Sequence, residues 1–203
     1  AEGKKLLPDP PIASIGYQAS IVITPQQEAD MDIKATLNNL LIPYTSNYAG
    51  TLLPGIREYT VTPGEKTTTI SGKGKAGLKQ EENYYFFYLP VCYKGITGKS
   101  YAYYNTSRSK NLYLPASVDE NYSYDIQLPE NLTLCTPIQE KKIDNPIGSF
   151  KITLTSEGSS LHIELALQIK KQLITPAEYP AFRSLITEWT DRTRKPILFK
   201  TVQ

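Results

Sequence analysis

A nucleophilic dyad in this chain can use only Cys92 or Cys135 with His162, its two thiols and its single imidazole. Thiolate chemistry needs a base within hydrogen-bond reach, or a helix N-terminus that lowers the thiol pKa. His162 sits instead in a run where Leu161, Ile163, Leu165, Leu167 and Ile169 alternate with His162, Glu164, Ala166 and Gln168. That period places it on the polar face of a strand beside Glu164. The dyad therefore ranks last among the readings. The carboxylates Asp30, Asp32, Asp119, Glu120 and Asp125 match neither the ligand spacing of a zinc site nor a calcium loop, and solvated surface accounts for them better. No catalytic residue, cofactor or metal ligand is assigned.

Gly72, Gly74 and Gly77 spell G-x-G-x-x-G after a strand-like Thr67 to Ile70. A dinucleotide fingerprint needs a helix opening at the third glycine and an acidic residue about 20 positions on. Leu78 to Asn83 leaves no room for that helix before an aromatic strand, and Thr97 stands where the acid should be. The motif fails on context. The Gly- and charge-rich stretch Ser71 to Glu82 reads as a linker or long hairpin loop between a β-rich region, 1–82, and a second region, 83–203. A single continuous sandwich with that loop at its rim is the alternative.

Tyrosine is the richest signal, with 15 in the chain, including Tyr84, Tyr85, Tyr88, Tyr93, Tyr101, Tyr103, Tyr104, Tyr113, Tyr122 and Tyr124. Tyrosine offers flat apolar area with a polar tip, so a tyrosine face can take a glycan or an extended peptide. The candidate surface is Tyr101, Tyr103, Tyr104, Arg108 and Tyr113. Against it stands the high β propensity of tyrosine, which lines sandwich cores and rims as a matter of packing.

The elements that must carry these residues are mostly strands. Phe150, Ile152 and Leu154 alternate with Lys151 and Thr153 before a Ser156-Glu157-Gly158-Ser159 link, so this run and Leu161 to Ile169 form an antiparallel hairpin. Tyr122 to Leu128 alternates likewise, and Pro129 stops it. Further strands are expected at Ala19 to Thr24, Asp30 to Leu37, Glu58 to Thr62, Thr67 to Ser71, Asn83 to Leu89, Ser100 to Tyr104, Asn111 to Leu114, Leu132 to Cys135 and Ile197 to Thr201. One helix breaks the pattern. Tyr179, Phe182, Leu185, Ile186 and Trp189 share a stripe, Thr175 and Glu178 read as a capping box, and Pro180 restricts the regular helix to about Pro180 to Asp191. The fold class is mainly β: antiparallel β-sandwich regions with one C-terminal amphipathic helix packed on a sheet. The cysteines are expected to be separate small apolar side chains, with a Cys92–Cys135 disulfide as the alternative.

Composition narrows the partners. Of 203 residues 40% are hydrophobic, and 22 Lys+Arg against 20 Asp+Glu leave +2 at pH 7, too little for a nucleic-acid footprint. No apolar run approaches the roughly 20 residues of a helical membrane span. The chain opens AEGKKLL, without an initiator Met or apolar leader, which fits a removed leader or a piece of a longer polypeptide.

The succession YSYDIQLPEN (Tyr122 to Asn131), IDNPIGSF (Ile143 to Phe150), SSLHIELAL (Ser159 to Leu167), ITPAEYPAFRSLITEW (Ile174 to Trp189) and RKPILFK (Arg194 to Lys200) resembles an uncharacterised C-terminal domain. That domain follows a transglutaminase-like core, provisionally called a cysteine protease, in exported bacterial proteins. The resemblance extends back to YFFYLP (Tyr85 to Pro90) and TSRSKNLYLP (Thr106 to Pro115). It implies a non-catalytic β-sandwich appended to a papain-like core, exported to the periplasm or cell surface, with that core as its partner. The core's catalytic motifs have no counterparts here, so no catalytic residue is carried over. A stand-alone glycan- or peptide-binding module is the alternative expectation.

Overall fold

The computed structural model describes residues 11–42, 48–92, 107–191 and 196–202. In chain order the elements are β1 (Ile12–Ile23), β2 (Glu28–Asn38), α1 (Tyr48–Leu52), β3 (Ile56–Pro63), β4 (Thr67–Gly77), β5 (Lys79–Glu81), β6 (Tyr84–Tyr88), β7 (Leu112–Tyr113) and β8 (Ser117–Gln127). They continue as β9 (Leu132–Leu134), β10 (Gln139–Asn145), β11 (Gly148–Glu157), β12 (Ser160–Ile169), β13 (Leu173–Ile174), α2 (Tyr179–Trp189) and β14 (Pro196–Thr201). Eight strands form one sheet in the order β10-β11-β12-β8-β1-β2-β4-β3, and four form a smaller one, β5-β6-β14-β9. A two-stranded ribbon joins β7 and β13.

Alternation decides which side of the large sheet is wet. Ile15, Tyr17, Ala19, Ile21 and Ile23 of β1 are buried, as are Ala29, Met31, Ile33, Ala35 and Leu37 of β2, while the residues between them face outward. A one-residue slip anywhere would turn these apolar sets out to water, so the register is strongly specified. The mainly β class is as expected, and so is the helix. α2 lays Tyr179, Phe182, Leu185, Ile186 and Trp189 against the inner face. Trp189 meets Tyr122 at 5.8 Å and the edge of Phe150 at 6.4 Å between centroids, so it is core. Burying five such side chains is worth, as an upper figure, about 7 to 15 kcal/mol at roughly 1.5 to 3 kcal/mol each.

One pairing departs from the antiparallel expectation. β1 runs parallel to β8, Tyr17 beside Tyr122 and Ala19 beside Tyr124. Parallel neighbours need a long crossover. Here the chain from β2 to β7 supplies it and lays down β5 and β6 of the small sheet on the way. Strands from before and after Glu82 thus share one sheet.

Ser71 to Glu82 is not a linker or loop. β4 extends to Gly77 and β5 takes up Lys79–Glu81. Cross-strand charge explains the extension, because Lys75 lies opposite Asp30 with a 3.0 Å ion pair and Lys73 lies opposite Asp32. The glycines answer a packing need. β3 bulges between Arg57 and Thr60, with Glu58 at φ +35°, and a Cβ on Gly72 would stand 2.7 Å from the Tyr59 Cβ. On Gly74 it would stand 2.9 Å from the Met31 Cε.

Two further differences have physical causes. β10 carries no strand signal in the sequence because Gln139–Asn145 is a charged edge strand, exposed along most of its length, with no apolar alternation. Glu120 was expected on the solvated surface but is 1% exposed, since its position in β8 shares the inward phase of Val118, Tyr122 and Tyr124.

Candidate binding surfaces

Among the described residues, no group of three or more His, Cys, Asp or Glu side chains could hold a metal. Among the described residues no disulfide joins Cys92 and Cys135. Cys92 is buried on the inner side, near enough to Tyr17 to help burial hold that phenol above its ordinary pKa. Cys135 follows β9, where its N–H donates to the Leu198 carbonyl at 2.8 Å. His162 stands on the outer face of the large sheet, its Nδ1 2.7 Å from Asp125 Oδ1 and its Nε2 3.4 Å from Glu164 Oε1. Neither thiol is placed with the imidazole.

The outer face is built by the out-pointing half of each alternating strand. β1, at its middle, contributes only uncharged side chains, Ser14, Gly16, Gln18 and Ser20 among them, with half-exposed Ile12 and Val22 at its ends. Charged neighbours flank it: Asp30, Asp32 and Lys34 on β2, Asp119 and Asp125 on β8. Open hollows of about 450 and 640 Å³ lie over this uncharged track. The first is bordered by Lys34, Lys151 and Glu164, the second by Asp125, Glu157 and His162. Lys151 of β11 donates to Glu164 of β12 at 2.8 Å.

The tyrosines divide between core and surface. Tyr17, Tyr122 and Tyr124 are buried together, with centroids 5.5, 5.8 and 6.5 Å apart in pairs. Burial raises the Tyr124 hydroxyl well above its ordinary pKa, so it serves as a donor, to Pro90 O at 2.6 Å.

Of the candidate surface, Tyr101, Tyr103 and Tyr104 lie outside the described residues. Arg108 sets its guanidinium 5.7 Å from the centre of the buried Tyr179 ring, a cation–π contact that ties it to the start of α2. Tyr113 is 69% exposed on β7, directly across from Leu173 of β13, itself 52% exposed. These two make a small apolar pair on the ribbon.

A larger aromatic strip appears on the small sheet. Tyr85 and Phe87 of β6 face the core with Ile197 and Phe199 of β14, so Tyr84, Phe86 and Tyr88 must face away, opposite Lys200, Leu198 and Pro196. Tyr88 is 53% exposed and Tyr84 39%, and Lys79 caps the Tyr88 ring at 5.2 Å. Successive out-facing rings follow at about 6.6 Å along a strand. The sequence held the signal, five consecutive aromatics from Tyr84 to Tyr88, but not which of the alternating sets the core would take.

Residues 83–199 match the family described as a domain of unknown function with solved structure, DUF3858. A crystal structure from Parabacteroides distasonis ATCC 8503, of a protein called a "putative protease", is similar: the TM-score is 0.53 and the identity 31%, over 60% of this chain and 24% of that one. This chain thus spans about a quarter of that relative's length. No curated protein matches it. The resemblance read from the strand and helix motifs is borne out at the level of the uncharacterised domain. With more than half of its residues inside the matched span, the chain belongs to the DUF3858 family.

Proposed function

We propose that the chain is a non-catalytic accessory β-sandwich region of an exported, transglutaminase-like protein of the protease kind, docking on the catalytic core or presenting substrate to it. The observation that carries this is the 31% identity to a far longer protein called a "putative protease", of which this chain covers only 24%. The separation of His162 on the outer face from buried Cys92 supports it, because thiol hydrolysis needs the two within hydrogen-bond reach. The test is to express the chain with and without the polypeptide encoded before it and to assay peptide hydrolysis and amine cross-linking. Activity is expected only in the longer product. Turnover by the isolated chain would refute the accessory reading.

The strip Tyr84, Phe86 and Tyr88 favours a second reading, a glycan-binding module, since the exposed rings of Tyr84 and Tyr88, in line with half-buried Phe86 along one strand, offer stacking platforms with hydroxyl tips. Glycan arrays probed with the chain and with a Tyr84→Ala/Tyr88→Ala variant decide it. Binding that survives both substitutions would remove this face from consideration.

A further inference from the structure

His162 is the only histidine of the chain, and both of its ring nitrogens meet a carboxylate: Nδ1 at 2.7 Å from Asp125 of β8, Nε2 at 3.4 Å from Glu164 of its own strand. A neutral imidazole carries one N–H and can donate to one acceptor only, whereas the imidazolium donates from both nitrogens. Two carboxylates facing one ring are therefore both satisfied only when the ring is charged. We propose that His162 is a proton-operated clamp on the outer face, which holds Asp125 and Glu164 together when protonated and releases Glu164 when it loses its proton. The longer contact is the one given up, and Lys151 of β11 still holds Glu164 at 2.8 Å.

The groups around the ring are mostly uncharged or acidic. Thr155, the cross-strand partner of His162 on β11, is uncharged, and Glu157 at the end of that strand borders the same hollow. β1 brings only the uncharged Ser20, Ile21 and Val22 to the hollow's rim. Beyond it, Asp32 of β2, Lys73 of β4 and Glu58 of β3 line the adjoining hollow with Asp125, and Lys34 stands with them. The hydrogen bond to Asp125 is the largest influence raising the His162 pKa above 6.5, opposed in part by desolvation and reinforced by Glu164. Glu164 is lowered, first by its hydrogen bond to Lys151 and then by that to His162.

The sign follows. A raised histidine pKa favours folding fully below the unfolded value and ceases to do so as pH rises through the folded value. A lowered glutamate pKa favours folding above its unfolded value and is lost on acidification. The clamp is closed between those two limits and open above the upper one. Opening leaves the outer face one charge more negative, beside the uncharged track of β1. This inference concerns proton binding by the isolated chain and stands whether or not the accessory reading holds.

The experiment is a pH titration of the full chain by long-range ¹H–¹⁵N NMR of the single imidazole, which reports its protonation and which nitrogen keeps the last proton. The expected midpoint lies above 6.5, with the neutral ring protonated at Nδ1, toward Asp125. Asp125→Asn and Glu164→Gln should each lower the midpoint, Asp125→Asn by more. All three side chains are at the surface, so the variants keep the fold. A midpoint at or below 6.5, a midpoint indifferent to both substitutions, or a neutral ring protonated at Nε2 would overturn the proposal.

Discussion

Tyr124 donates its hydroxyl to the Pro90 carbonyl at 2.6 Å, joining the middle of the eight-stranded sheet to the chain just beyond β6. The phenol is wholly buried, and burial holds it protonated. One hydrogen bond thus couples the sheet shared by both regions to the segment that builds the small sheet.

Tyr124→Phe removes that donor and keeps the ring. The expected loss is about 1 to 2 kcal/mol, the usual cost of a buried hydrogen bond whose partner is left behind. Equilibrium unfolding in urea measures it. A variant as stable as the parent would show that the bond holds nothing together.

Gly72→Ala and Gly77→Ala separate packing from ligand binding in the G-x-G-x-x-G run. A Cβ at Gly72 meets the Tyr59 Cβ at 2.7 Å, while one at Gly77 meets nothing within 4 Å. Overpacking at the first position should cost about 1 to 3 kcal/mol. The second should leave the melting temperature unchanged. Equal effects at both would contradict the packing account.

The amphipathic stripe of α2 was legible residue by residue, because five apolar side chains at helical spacing have one physical reading. Alternation located β11, β12 and the second half of β8 for a similar reason, whereas of β1 only the part from Ala19 onward was legible. β10 and the far half of β4 were not legible, since an edge strand and a charge-paired strand are stabilised by cross-strand partners that the sequence keeps at a distance. Lys75 needs Asp30 before its stretch reads as β. Gly158, at φ +58°, was legible as the turn between β11 and β12. Of the aromatic residues, Tyr122 and Tyr124 share the alternating phase of Ile126 and could be read as inward, but only the fold sends Tyr84 and Tyr88 outward. The clamp at His162 needed the register of β8 and β12, which sets Asp125 opposite it.

Glu178 makes the start of α2 sensitive to acid. Its carboxylate accepts from Lys171 Nζ, and from the N–H and hydroxyl of Thr175 at 3.1 and 3.0 Å. These hold its pKa down at about 2, the lysine contributing most. A depressed carboxylate stabilises the fold above its unfolded pKa and loses that effect as pH falls through the folded value. Glu178→Gln should therefore be less stable than the parent at pH 6, with the gap closing toward pH 2. Thermal melts across that range check it. A gap independent of pH would assign the effect to side-chain packing instead.

The accessory role itself is tested most directly by titrating this chain calorimetrically into the separately expressed remainder of its polypeptide, with a peptide-hydrolysis assay run on each part. Saturable one-to-one binding, together with no turnover by the chain alone, is the predicted result. Hydrolysis by the chain on its own, or no heat of association with the remainder, would contradict the account.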